Sequence, residues 1–224
     1  MIFRRRGSGD QAATEVETQA GAGTTASAVE ADAPLGPPLS DRPEGPFDIS
    51  EVEGTPDGLD LGPIIVPAFP IGDLRIDVDP DTQIPMAVTA ALPDAGVQVM
   101  AFAGPRSFGI WDTSLNDIAS QATTNGQLVD RLTGPFGNEV RTKALASDGS
   151  LQAVRFVGVD GPRWLLRFAY IGRAADDRSV AAVFDEFIHG IVVRRDSEAR
   201  APGDHLPLVL PADIVAQIEN ELIE

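Results

Sequence analysis

The chain has 224 residues, enough for one ordinary domain with tails, and its apolar fraction of 43% is that of a globular protein. Its 34 acidic residues face only 17 basic ones, a formal net charge of -17. That balance disfavours a double-stranded nucleic acid partner, because phosphate binding draws most of its affinity from clustered cations, and the absence of cysteine excludes disulfides and thiolate chemistry.

Arg4, Arg5 and Arg6 open the chain with no apolar run behind them, and no stretch of about 18 apolar residues follows anywhere. This predicts a cytoplasmic protein without a membrane span. Residues 1–45 are mostly Ala, Gly, Thr, Glu and Pro, too poor in large apolar side chains to offset the entropy of ordering, so a disordered acidic arm is expected. Residues 46–60 contain Phe47, Ile49 and Val52 and read as either a linker or a clamp docked on the domain. The domain itself is expected over residues 61–198.

From Leu59 short apolar runs alternate with turn signals, the mark of strands. Pro63, Pro67 and Pro70 interrupt the run Ile64 to Phe69, which suits a sheet edge or an extended lead-in. Leu74 to Val78, Ile84 to Leu92 and Gly96 to Ala103 then form an antiparallel meander. Asp112 to Asn125 shifts to helical spacing, with Trp111, Leu115, Ile118, Ala119 and Ala122 on one stripe and Gly126 as its stop. Leu128 to Leu132 and Glu139 to Leu145 return to strands.

Leu151 to Ile171 is a hairpin, with Asp160-Gly161-Pro162 as a three-residue loop and Val159 opposite Arg163. In that register Val154, Phe156 and Gly158 share an inward face with Phe168, Leu166 and Trp164, and the missing side chain of Gly158 makes room for the Trp164 indole. Asp177 to His189 is a second amphipathic helix, with Asp176 or Asp177 as cap and Gly190 as end. Ile191 to Arg194 adds a short strand. Residues 199–224 are a linker and a short amphipathic helix over Ala212 to Ile223. The fold class is α+β: a mostly antiparallel sheet of about six to eight strands with two packed helices.

No motif matches a phosphate loop, a dinucleotide fingerprint, a nucleophile elbow or a zinc ligand set, so no cofactor, metal or catalytic residue is assigned. His189 and His205 are the only histidines, and both read as structural or solvated. Asp73, Asp77, Asp79 and Asp81 recur at alternate positions but lack the glycine and glutamate a calcium loop needs, and Thr82 and Val88 stand there instead. Two constellations remain as candidate anion sites. The hairpin register sets Arg155 opposite Arg167, with Arg163 on the same face, where like charges call for a carboxylate, an anionic ligand or open water. The loop Arg106, Ser107, Gly109, Trp111, Asp112 leads into a helix N-terminus, whose N–H groups attract anions unless Asp112 itself caps them.

The segments Gly45-Pro46-Phe47-Asp48-Ile49-Ser50-Glu51, Ala103-Gly104-Pro105-Arg106-Ser107, Gly109-Ile110-Trp111-Asp112, Gly134-Pro135-Phe136-Gly137, Val154 to Trp164 and Leu206-Pro207-Leu208 together resemble an actinobacterial family known as domain of unknown function 3710. The resemblance implies a bacterial cytoplasmic protein, in keeping with Lys143 as the single lysine among 17 basic residues. It implies no activity. The element order is also similar to PsbP-like sandwiches, an analogy of fold that carries no function.

Two readings follow. The first is a non-enzymatic protein-binding or scaffolding domain whose partner is another protein. The alternative is a sensor or enzyme for a small anion such as a phosphorylated metabolite, using Arg155, Arg163 and Arg167 or the loop at Arg106. The sequence leaves the oligomeric state open.

Overall fold

A computed structural model describes residues 37–145 and 149–212. Residues 1–36 of the expected arm and the amphipathic helix beyond Ala212 lie outside the described residues. Residues 37–45 of that arm lie on the domain, Ser40 N–H donating to the Asp160 carbonyl at 3.1 Å and Gly109 N–H to the Pro37 carbonyl at 2.7 Å. The protein is α+β, built on a seven-stranded antiparallel sheet in the order β4-β5-β6-β10-β9-β8-β7. These strands are β4 (Asp73–Val78), β5 (Pro85–Leu92), β6 (Ala95–Ala103), β7 (Asp130–Gly134), β8 (Gly137–Leu145), β9 (Leu151–Gly161) and β10 (Trp164–Gly172). A second, four-stranded sheet joins β1 (Phe47–Asp48), β11 (Val192–Val193), β3 (Ile64–Val66) and β2 (Leu59–Asp60).

The three prolines around β3 do not make it an edge. They stand outside its three residues, and β3 sits between β11 and β2 with all its side chains buried. The segment around Phe47 packs on the domain: β1 pairs in parallel with β11, and the Asp48 carboxylate accepts the Trp164 indole N–H at 2.9 Å while Arg42 lies over that ring. At the other end of the chain Leu206 and Leu208 enter the same core, held by Leu206 N–H to Ala101 O and Leu208 N–H to Pro85 O, each at 2.8 Å.

One face of the large sheet carries the main core. Val88, Val97, Val99, Leu166, Phe168 and Trp164 meet Phe184, Phe187 and Ile188 of the helix α3 (Arg178–His189), which follows the single turn α2 (Arg173–Asp176). The apolar stripe of α3 explains its docking, and Asp177 caps it through the Ser179 N–H at 2.9 Å. The opposite face receives α1 (Trp111–Thr124), which packs Trp111, Leu115 and Ala119 on Val140, Leu165 and Phe156. Fully burying a side chain of the size of Phe168 or Leu166 contributes on the order of 2 kcal/mol, so both layers resist a slip that would turn these residues outward.

Candidate functional site

The β9–β10 hairpin decides where the candidate arginines go. Trp164 pairs with Gly161 and Leu166 with Val159, so the turn is Pro162–Arg163 and the register stands three residues from the one the loop signals suggest. Proline at the first turn position and a φ of 70° at Arg163 have the signature of a type II turn, which a three-residue reading of Asp160-Gly161-Pro162 overlooks. An odd shift reverses the pairing of faces. Trp164, Leu166 and Phe168 point inward as expected, but Phe156 turns to the α1 side and Arg155 joins the inward face.

The structure therefore does not gather Arg155, Arg163 and Arg167. Arg155 lies opposite Tyr170 and is buried, Arg167 lies opposite Gly158 on the other face, and Arg163 occupies the turn, where it reaches the Asp196 carbonyl at 3.3 Å. The guanidinium of Arg155 donates to Glu139 at 3.0 Å and to the Ala174 carbonyl at 2.9 Å, and it stacks 4.2 Å over the Tyr170 ring. Glu139, which is also buried, accepts in addition from Arg178 at 2.9 Å. Tyr170 donates its hydroxyl to Asp185 on α3. Burial, reinforced by Asp185, drives the Tyr170 phenol far above its ordinary range, and burial also raises the Asp185 carboxyl. These groups tie α2 and α3 to the sheet and satisfy one another.

In the loop before α1 the N–H donors expected to attract an anion are taken by a carboxylate of the chain itself. Asp160 accepts Ile110 N–H at 2.9 Å and Trp111 N–H at 3.0 Å, so a carboxylate from β9 stands at the helix N-terminus where Asp112 was expected. Burial raises the Asp160 carboxyl above the usual range, opposed by those two N–H bonds. Asp112 instead accepts from Asn138 at 3.0 Å. Gly109 is required here, because a Cβ would fall 2.4 Å from the Asp160 carboxylate. Gly158 does make room for an indole, but it is that of Trp111, and Gly161 does the same for Trp164. Arg106 and Ser107 are exposed.

Asp77 and Asp79 of the alternating aspartates and the two histidines have local partners. Asp77 accepts from Thr89 at 2.6 Å and Gln98 at 2.9 Å, and Asp79 closes its own turn on Thr82 N–H at 2.7 Å. His205 rests on the Met86 carbonyl at 2.7 Å and edge-on to Phe102, and burial lowers its pKa, as does nearby Arg167. His189 packs its ring on Phe136.

Among the described residues one end of the large sheet stays open. The helix α1 covers β8, β9 and the near part of β10, and beyond it a hollow of ≈ 710 Å³ is floored by Thr89, Ala91, Ile171 and Gln152 and bounded by Asp73 and Arg75 of β4. Among the described residues the outer edge of β4 has no neighbouring strand, and Ile71, Val78 and Ile84 beside it are 60%, 49% and 45% exposed. No helix among the described residues is long and apolar enough to cross a membrane.

The architecture and these surfaces define an α+β protein in which Arg155 and Glu139 neutralise each other in the interior and whose large sheet is partly open among the described residues. The chain belongs to the family described as protein of unknown function (DUF3710), whose model matches residues 45–217. Comparison with curated proteins and with solved structures gives no match.

Proposed function

We propose that the domain is a non-enzymatic protein-binding or scaffolding module that takes an extended segment of a partner protein along the free edge of β4. The observation that carries this reading is that edge: six residues with no neighbouring strand on one side among the described residues, next to a hollow large enough for side chains. An added strand would gain main-chain hydrogen bonds from β4 and send alternate side chains towards the small residues Ala91 and Thr89. Asp73, Arg75 and Asp77 alternate with Leu74, Ile76 and Val78, so the matching segment alternates apolar with charged residues of both signs. The internal pairing of Glu139, Arg155, Asp160 and Asp185 supports a role other than covalent chemistry. Lysine scarcity and the absence of cysteine suit the actinobacterial, cytoplasmic setting that the family resemblance implies.

The test is capture of partners from the native cytoplasm by the full chain and by the double variant Ile71→Lys, Val78→Lys, with amide exchange measured on the complex. A partner lost in the variant, and slower exchange over residues 73–78 with the native chain, supports the reading. Equal capture by both forms, or unchanged exchange in β4, overturns it.

A further inference from the structure

Arg167 is half-buried on the face of the sheet that carries α1. Its guanidinium lies 4.8 Å over the Phe102 ring, and its protein hydrogen bond goes to the Met100 thioether at 2.9 Å, a weak acceptor. No carboxylate oxygen of the described residues lies within ion-pair distance of it, whereas buried Arg155 has Glu139 and a carbonyl. Burial pulls the Arg167 pKa below the ordinary arginine value. His205 feels this charge but gives no compensation, since its ring nitrogen is engaged with Met86 O. A half-buried guanidinium whose side-chain acceptor is only a thioether keeps donors for an anion, and a bound carboxylate would supply the counter-charge.

Arg167 lines a cleft of ≈ 220 Å³ between α1 and the sheet. Phe102, Ile118 and Leu165 make its apolar walls, Ser114 and Gln121 add a hydroxyl and an amide from α1, and Asp117 stands at its side. We infer that this cleft binds a small carboxylate, its head on the Arg167 guanidinium and its apolar body between α1 and β10. The mixture of apolar walls with a few convergent polar groups is that of a ligand site, and the volume is below that of sites for drug-sized molecules. Arginine matches a carboxylate fork in two parallel hydrogen bonds. The carboxylate of Asp117 selects a monoanion, because a dianionic phosphate would leave the cleft with excess negative charge. This site is separate from the β4 edge and stands or falls independently of it.

The experiment titrates the full native chain with benzoate, with the neutral isostere benzamide and with inorganic phosphate at constant ionic strength, following the amide signals of Ser114 and Arg167 by NMR. The inference expects saturable shifts with benzoate, none with benzamide, and weaker binding of phosphate. Arg167→Gln should weaken benzoate by about tenfold or more while the chain keeps its melting temperature or gains, since an uncompensated charge is removed. Asp117→Asn should tighten benzoate binding several-fold. Absence of saturation up to about 10 mM, equal binding by benzamide, or equal affinity in folded Arg167→Gln overturns the site. Tighter binding of phosphate than of benzoate overturns the assignment to carboxylates.

Discussion

The indole of Trp111 lies on the Cα of Gly158, so close that a Cβ there would come within 2.3 Å of the ring. This contact joins the first turn of α1 to the centre of β9, and Trp111 completes it by donating its indole N–H to the Asn138 carbonyl at 2.8 Å. Gly158→Ala should therefore overpack the interface and destabilise the protein by about 1–3 kcal/mol in chemical denaturation. Trp111→Phe in the same chain should recover part of the loss, because the two substitutions share one contact.

Asp160 holds the N-terminus of α1 from a strand about 50 residues away in sequence. Asp160→Asn should cost about 1–2 kcal/mol at neutral pH, since the amide keeps one acceptor and turns an N–H towards the other donor.

The pH dependence of Asp160 has a definite sign. Burial raises its folded pKa above the unfolded value near 4, so the protonated form favours the folded state. Its contribution is full below the unfolded value and is lost as pH climbs through the raised one. Melting temperatures of the native chain between pH 4 and neutrality, compared with those of Asp160→Asn, should show a difference in the native chain's favour that grows on acidification. A difference that shrinks as pH falls contradicts the assignment.

Glu139 neutralises Arg155 where both are almost fully buried. Glu139→Gln should cost about 3–5 kcal/mol, because it strands a guanidinium under α2. Arg178→Gln should cost below about 1 kcal/mol, since Arg178 is largely exposed and Glu139 keeps its inner partner. Urea denaturation of the two variants separates these outcomes.

Arg163 carries the left-handed conformation of the hairpin turn, with φ of 70°. Glycine adopts that conformation without strain, so Arg163→Gly should leave stability unchanged or raise it by up to about 1 kcal/mol. Arg163→Val should lower it, because a β-branched side chain tolerates positive φ poorly. A stabilising Arg163→Val would contradict the turn geometry.

Much of the fold was legible in the chain because its signals are local. The alternation of Leu74 to Val78, the helical stripe of Val180, Phe184, Phe187 and Ile188, and the glycines at 126 and 190 mark their elements within a few residues of sequence. The small second sheet was not legible, because β1, β2, β3 and β11 are two or three residues long and acquire meaning only when they meet. The candidate sites fared similarly. The loop before α1 was recognisable as leading to the N–H donors of a helix N-terminus, but their acceptor, Asp160, is invisible until β9 is folded against it.

Periodicity and turn residues, acting over neighbouring positions, determined which stretches became strands and which became helices, and that Trp164, Leu166 and Phe168 would face a core. Only the tertiary structure decided on which side of the sheet Arg155 and Arg167 would lie. A strand's side chains alternate, so the difference between a loop of three residues and the two-residue turn at Pro162–Arg163 changes every cross-strand partner and sends the two guanidinium groups to opposite faces.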